Sequence, residues 1–191
     1  MLTGKQFKRA FISGANNILN HRKDVDALNV FPVPDGDTGT NMSMTSSAAV
    51  RELQVVSDDE DLSIVAAKTA AALLRGARGN SGVILSLVFR GISNGFKGKK
   101  EVGGKDLAAA LTLGKESAYK AVMKPTEGTI LTVVRKAAAA AEALALDDCG
   151  AVLDEAYRAA QEALAETPEL LPVLNFFTCY SERIRLESSA S

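Results

Sequence analysis

Apolar residues recur along the chain at helical spacing, and no segment alternates apolar and polar residues over the length of a strand. The first apolar stripe predicts an amphipathic helix from about Gly4 to Asn20. Thr167 followed by Pro168 has the pattern of a helix start, so we expect a last helix to begin there. About eight helices with short connections favour an antiparallel, up-and-down all-α arrangement. The other predicted helices cover residues 42–55, 62–74, 83–88, 107–122, 130–144 and 152–164.

The most informative connection is residues 29–42, the signature loop, which reads Asn-Val-Phe-Pro-Val-Pro-Asp-Gly-Asp-Thr-Gly-Thr-Asn-Met. Its two prolines fix φ and push the residues before them into extended conformations, so we expect a stiff, extended approach to Asp35. If that course continues, Asp35 and Asp37 share one face, because residues two apart in an extended chain point the same way. Thr38 or Thr40 is then expected to cap the next helix.

Acids beside a helix start suit a nucleotide bound together with a divalent cation. Carboxylate oxygens bind Mg²⁺, and the free N–H groups of the first helical turn bind phosphate. The alternative is an ordinary turn, because Asp-Gly-Asp also occurs where the acids only face water. The spacing of the two acids leaves both interpretations open.

A second loop, residues 75–82, reads Arg-Gly-Ala-Arg-Gly-Asn-Ser-Gly. Its three glycines allow close approach of the backbone, and Asn80 or Ser81 is expected to cap the helix that follows. This helix start is a second candidate phosphate site, although loops between helices commonly contain glycine.

A third loop, residues 124–131, also precedes a helix. Pro125 is expected to end one helix, and Thr126 or Thr129 to begin the next. Residues 94–104 are rich in Gly and Lys, and we expect a surface turn there.

Composition narrows the function classes. A chain of 191 residues with 47% apolar residues favours one domain with a substantial core. The net charge of -1 gives no electrostatic case for nucleic acid, and no apolar run is long enough to form a transmembrane segment. Cys149 and Cys179 have no metal-ligand spacing, so a reducing, cytoplasmic setting is expected. His21, the only histidine, is interpreted as a solvated helix-end residue.

The signature loop resembles the signature of the nucleotide-binding domain of bacterial fatty acid kinase, within the wider superfamily of the ATP-binding subunit of dihydroxyacetone kinase. Gly-Asn-Ser-Gly at residues 79–82 and Glu-Gly-Thr-Ile-Leu at residues 127–131 match further segments of that family. The resemblance implies a closed barrel of antiparallel helices with the nucleotide at one end. It also implies a phosphotransferase that moves the γ-phosphoryl group of ATP to the carboxylate of a fatty acid held by a separate carrier protein.

Carried over residue by residue, the resemblance gives each loop a role. Asp35 and Asp37 would bind Mg²⁺ and act as the catalytic residues, with Asn29 as a further metal ligand. The phosphates of ATP or ADP would be held by the signature loop and the second loop, and the nucleoside by the third. The residues implied for the phosphates are Thr38, Thr40, Asn41, Gly79, Asn80, Ser81 and Gly82, and those for the nucleoside are Gly128, Thr129 and Leu131.

The resemblance runs to Leu174, so residues 1–174 are the expected nucleotide-binding domain. Residues 175–191 are expected to be an atypical, partly disordered tail, because they lack the turn with Asp and Gly that closes over the nucleoside in the family. The further domains of full kinases are absent too, so we expect ATP binding with little activity in isolation. The expected partners are the fatty-acid carrier protein, those kinase domains and a second copy of this chain.

Two alternatives stay open. A dihydroxyacetone kinase subunit usually carries a histidine after the second acid, where this chain has Thr38. The other alternative is a non-enzymatic helical domain that binds a lipid or a partner and whose acidic loop is only a turn. Nucleotide binding separates this second alternative from both kinases.

Overall fold

The computed structural model describes residues 1–174, which fold into eight α-helices and one pair of two-residue strands. The expected all-α bundle is confirmed for this part of the chain. β1 (Leu2–Thr3) and β2 (Glu101–Val102) pair antiparallel. Among the described residues, no helix combines the length and hydropathy needed to cross a membrane. The helices are α1 (Gly4–Asn20), α2 (Arg22–Ala27), α3 (Thr38–Gln54), α4 (Leu62–Gly76), α5 (Gly79–Gly95), α6 (Gly104–Ala121), α7 (Ile130–Leu144) and α8 (Cys149–Leu170).

Successive long helices pack side by side, from α3 through to α8, and α1 packs on α3 and α4. The pairing of α5 with α6 is antiparallel, because Gly91 lies against Leu113 while Gly95, further along α5, lies against the earlier Ala110. Within residues 1–174 no contact of comparable extent joins α8 to α1, so this part of the chain forms a bundle without a closing seam between its first and last helices.

This up-and-down order brings three helix starts to one end of the bundle. The start of α3 touches the start of α5, where Gly79 packs on Asn41. The start of α7 lies beside the end of α6, where Tyr119 donates a hydrogen bond to Glu127. Because α6 runs back along α5, its end is level with the start of α5. The three loops singled out from the sequence therefore lie at the same end.

The core is built from a few large side chains among many small ones. Phe96, Leu62 and Val102 are fully buried in the largest cluster, which joins α4, α5, α6, α7 and α8. The ring of Phe7, on α1, packs edge-on against Phe96 with their centroids 6.0 Å apart. Alanine and glycine occupy most of the remaining interior positions, and these small residues let the helix axes approach closely.

The structure corrects two expectations about secondary structure near the middle and the start of the chain. Residues 94–104 include β2, and Val102 is fully buried there, so the whole segment is not a surface turn. The short helix α2 was not predicted, because Arg22–Ala27 is too brief to show helical periodicity. His21 does lie at a helix end, where it caps α1 and its side chain is 62% exposed.

The expected helix start at Thr167 is also wrong, because α8 continues through it to Leu170. Proline lacks an N–H group and cannot bond the carbonyl four residues earlier, which for Pro168 is that of Leu164. The hydroxyl of Thr167 donates to that same carbonyl at 2.7 Å. A hydroxyl donor beside the proline thus satisfies the acceptor, and the helix continues.

We expect Gly91→Ala to destabilise the fold by about 1–3 kcal/mol, the usual cost of overpacking. A Cβ at this position would stand 2.6 Å from the Cα of Gly114. It would therefore meet backbone atoms, which cannot rotate away as a side chain can. The matched control is Gly14→Ala, also inside a helix, where a Cβ meets nothing within 4 Å. That change should stabilise by up to about 1 kcal/mol through helix propensity. Chemical unfolding measures both, and equal stabilities would contradict the close packing of α5 on α6.

Candidate functional site

The signature loop connects α2 to α3 and folds back on itself. Its Phe31–Pro32 peptide bond is cis, and Gly36 adopts a φ of 64°. A positive φ ends an extended course, so the chain does not run straight from Asp35 to Asp37 as expected. The side chain of Asn29 donates from Nδ2 to Oδ1 of Asp35 at 2.6 Å. Two of the three residues proposed as metal ligands are therefore in direct contact.

Asp37 stands at the N-cap of α3, a place that we expected Thr38 or Thr40 to fill. Its carbonyl accepts the first helical hydrogen bond, from the N–H of Asn41 at 2.8 Å. Its carboxylate makes no capping bond. An acid at a helix N-terminus is favoured by the dipole, and a carboxylate free of capping keeps its oxygens available to a cation.

Asp26, on α2, holds the start of α3 in place. Its carboxylate accepts both the N–H of Thr40 at 2.9 Å and the hydroxyl of Thr40 at 2.8 Å. The bond from the Thr40 N–H lowers the pKa of the Asp26 carboxyl. Gly39 adds to this contact, because a Cβ there would stand 3.0 Å from Cβ of Val25. Asp26 was not predicted from the sequence, because no local pattern connects it to Thr40, which lies fourteen residues later.

The second loop begins α5 differently from the expectation. The helix starts at Gly79 with Arg78 at its N-cap, so neither Asn80 nor Ser81 is the cap. The N–H of Arg78 donates to the hydroxyl of Thr45 at 3.0 Å. That hydroxyl in turn donates to the carbonyl of Asn41 at 2.7 Å. Thr45 thus links the start of α5 to the first turn of α3.

Two glycines make this junction possible. A Cβ at Gly79 would stand 3.0 Å from Cγ of Asn41, and one at Gly82 would stand 3.4 Å from Cβ of Thr45 and closer still to its hydroxyl. Gly79 also has a φ of 58°. The result is two helix N-termini side by side, with the implied phosphate residues Asn41, Gly79 and Gly82 in one place. Asp26 already binds the N–H of Thr40 at the start of α3, so the N–H groups available to an anion here are those in the first turn of α5.

The third loop is held by its own side chains. Thr129 is the N-cap of α7, as one of the two expectations had it, and its hydroxyl accepts from the N–H of Leu131 at 3.3 Å. Gly128 has a φ of 79°, and a Cβ there would stand 2.5 Å from Cβ of Leu171. Leu131 is 3% exposed, so it belongs to the packed interior at this end of the bundle.

A polar network that sequence analysis did not identify supports this loop. Oε2 of Glu127 accepts from Arg135 at 2.7 Å and from the hydroxyl of Thr132 at 2.6 Å, and Oε1 accepts from Tyr119 at 3.1 Å. The bond from Arg135 is the main cause of the lowered pKa of Glu127, and burial raises the pKa of Tyr119. Thr132 also accepts from the N–H of Gly128 at 2.9 Å. The loop is thereby fastened to α6 and α7.

Metal binding at this end would rest on few protein ligands. No group of three or more His, Cys, Asp or Glu residues within residues 1–174 is arranged to hold a metal. The available oxygens are those of Asp35, Asp37 and the amide of Asn29. Mg²⁺ is usually bound through one or two carboxylates, with substrate phosphates and water completing its coordination shell. Two carboxylates and one amide oxygen are sufficient for that kind of site.

We expect Asp26→Asn to lower the melting temperature at pH 7, because it removes the charge that accepts two hydrogen bonds from Thr40. The pKa of Asp26 is lowered in the folded state, so its contribution is present above the unfolded pKa of about 4 and is lost as pH falls through the folded pKa. The gap in melting temperature between wild type and variant should therefore shrink below about pH 4. Asp154→Asn, on the exposed side of α8, should show no such gap. A gap unchanged by pH would contradict the role of the charge.

Comparison with known proteins places the chain in a family. A family model described as the DAK2 domain matches residues 32–183. Protein YloV of Bacillus subtilis is 49% identical over 175 residues, which are 91% of this chain and 32% of that protein. Uncharacterised proteins of Staphylococcus saprophyticus and Staphylococcus haemolyticus are 46% and 45% identical over the same shares of the two chains. The chain spans about a third of the length of these curated relatives. It belongs to the DAK2 domain family, the dihydroxyacetone kinase-like family whose domains bind ADP or ATP in kinase systems.

Proposed function

We propose that this chain is the ATP- and Mg²⁺-binding domain of a kinase that phosphorylates the carboxylate of a carrier-bound fatty acid. The observation that carries the proposal is the junction of α3 and α5, where two helix N-termini meet beside Asp37. The N–H groups in the first turn of α5 supply a site for phosphates, and the Asp37 carboxylate beside them supplies a site for the cation that accompanies ATP.

The proposed chemistry asks for positioning more than for acid–base catalysis. A fatty acid carboxylate is already a nucleophile at neutral pH, so this domain need not supply a general base. Phosphoryl transfer depends mainly on alignment and on neutralising charge over the phosphate oxygens. Bound Mg²⁺ would neutralise part of that charge, held by Asp35 and Asp37. Asn29 would keep Asp35 oriented through the hydrogen bond that joins them, or turn its amide oxygen to the metal.

The phosphate contacts would come from main chain as well as side chains. Gly79 and Gly82 let α5 pack directly against the side chains of Asn41 and Thr45, which brings the N–H groups at the start of α5 beside the start of α3. Asn80 is exposed at the first turn of α5, and Ser81 is half-buried beside it. The hydroxyl of Thr40 is committed to Asp26, so we propose that Thr40 acts mainly by fixing the first turn of α3.

The choice of substrate rests on the signature loop rather than on the family alone. DAK2 membership is compatible with a dihydroxyacetone kinase subunit as well. We favour the fatty acid because Thr38 stands where such subunits usually carry a histidine, and because the whole of residues 29–42 resembles fatty acid kinase. The carrier protein and the remaining kinase domains are proposed partners, since the relatives are about three times as long as this chain.

We expect Asp37→Asn to abolish Mg²⁺-dependent ATP binding while leaving the fold intact. The amide keeps the shape of the side chain but removes the charge that offsets the cation. The apo protein should melt at the same or a slightly higher temperature, because the change relieves repulsion between two nearby acids. Titration calorimetry with Mg²⁺–ATP, beside melting curves, measures both effects.

The control for this experiment is Asp154→Asn, which removes the same charge from the exposed side of α8. It should bind Mg²⁺–ATP as wild type does. If Asp37→Asn bound Mg²⁺–ATP with unchanged affinity, the metal site would be wrong. If wild type itself bound no nucleotide, the alternative of a non-enzymatic helical domain would replace the kinase.

A further inference from the structure

A groove of about 500 Å³ lies between α3 and α4, and its lining includes the first residues of the second loop. Its polar lining consists of Arg51 and Glu52 on α3, Arg75 on α4, and Arg78 just before α5. We call it the arginine groove. Three guanidinium groups around one concave surface are a concentration of positive charge in a chain whose net charge is -1. The nucleotide site proposed above uses none of these side chains.

The floor of the arginine groove is made by small residues. Gly76 packs directly on Ala48, so α3 and α4 come close together at that point. Ala72, 2% exposed, closes the floor from below. Short residues on the floor and longer side chains in the lining leave a concave surface between α3 and α4. The volume of the groove lies within the range of sites for small molecules, roughly 300–1,000 Å³.

The positive charge in the groove is only partly neutralised. Glu52 pairs with Arg75 at 3.0 Å, and both side chains remain partly exposed. Arg51 and Arg78 have no carboxylate partner among residues 1–174. One carboxylate against three guanidinium groups leaves an excess of positive charge in the groove. An arginine fork binds phosphate or carboxylate through two parallel hydrogen bonds, so an oxyanion is the ligand that this surface fits.

We propose that the arginine groove binds a small polyanion carrying phosphate or carboxylate groups. The ligand lies across α3 and α4, contacting Arg51 from one side and Arg75 from the other. It competes with Glu52 for Arg75. The groove is separate from the signature loop, because Arg51 stands fourteen residues along from Asp37, roughly 20 Å at 1.5 Å per residue. It nevertheless adjoins the α5 start through Arg78, whose N–H is bound to Thr45.

The test is titration calorimetry with inorganic pyrophosphate and, separately, citrate, in a low-salt buffer freed of divalent metals. Pyrophosphate binding without citrate binding identifies a phosphate ligand, and the reverse identifies a carboxylate ligand. Arg51→Ala and Arg75→Ala should each weaken binding roughly tenfold, since each removes a charge-assisted hydrogen bond. Glu52→Gln should strengthen binding severalfold, because it frees Arg75 and removes the competing charge.

The matched control is Arg9→Ala, which removes the same charge from an exposed position on α1. It should leave the affinity unchanged, and melting curves should show every variant folded. Equal losses in Arg51→Ala and Arg9→Ala would mean general attraction by net charge and would overturn the proposal. Binding that ignores Arg51→Ala and Arg75→Ala would lie at the α3 and α5 starts instead and would overturn it too, as would the absence of heat with both anions.

Discussion

One buried hydroxyl holds the proposed nucleotide end of this bundle together. Thr45 is fully buried, and its hydroxyl accepts from the N–H of Arg78 while donating to the carbonyl of Asn41. A buried hydroxyl that lacked either bond would carry the cost of an unsatisfied polar group, so the geometry of both neighbours is fixed. The starts of α3 and α5 are thereby placed side by side. Glycine at position 82 is required by the same contact, because any Cβ there would meet this hydroxyl.

The signature loop is then positioned by acids that serve different purposes. The carboxylate of Asp26 accepts hydrogen bonds from the N–H and the hydroxyl of Thr40, and these bonds lower its pKa. Asp35 accepts from Asn29, whereas the carboxylate of Asp37 stands at a helix start without capping it. The acids of the signature loop favour a cation, and the N–H groups at the helix start beside them favour an anion. A cation and an anion that bind together therefore fit this end of the bundle. An ordinary solvated turn would not require a second helix N-terminus beside it, so this arrangement favours a binding site.

Helix positions were predictable from the sequence to a greater extent than helix ends. Periodicity gave α1 with the bounds that the structure shows, because an apolar stripe over several turns depends on one repeating contact. Caps depend instead on which donor and acceptor meet in three dimensions. Thr40 was a good N-cap by type, yet Asp26 from α2 takes its hydroxyl and N–H, and Asp37 fills the cap. Expectations about residues 175–191 lie outside the described residues.

Residues of the proposed site could be singled out from the sequence only where they lie close together along the chain. Asp35, Asp37 and the three glycine loops were recognisable because their neighbours along the chain are also their neighbours in space. The Glu127 network was not, because Tyr119 and Arg135 come from two different helices that meet only after packing.

The antiparallel order explains why local signals still converge. When helices alternate in direction, every second helix begins at the same end, so α3, α5 and α7 have their N-termini at that end. Short loops there are confined to that end because the long helices between them are stiff. Helix packing brings the loops close together, which the sequence does not show. The residue types within each loop, which the sequence does show, determine what that loop can bind. A change that breaks the junction at Thr45 would therefore separate two intact loops without altering either one.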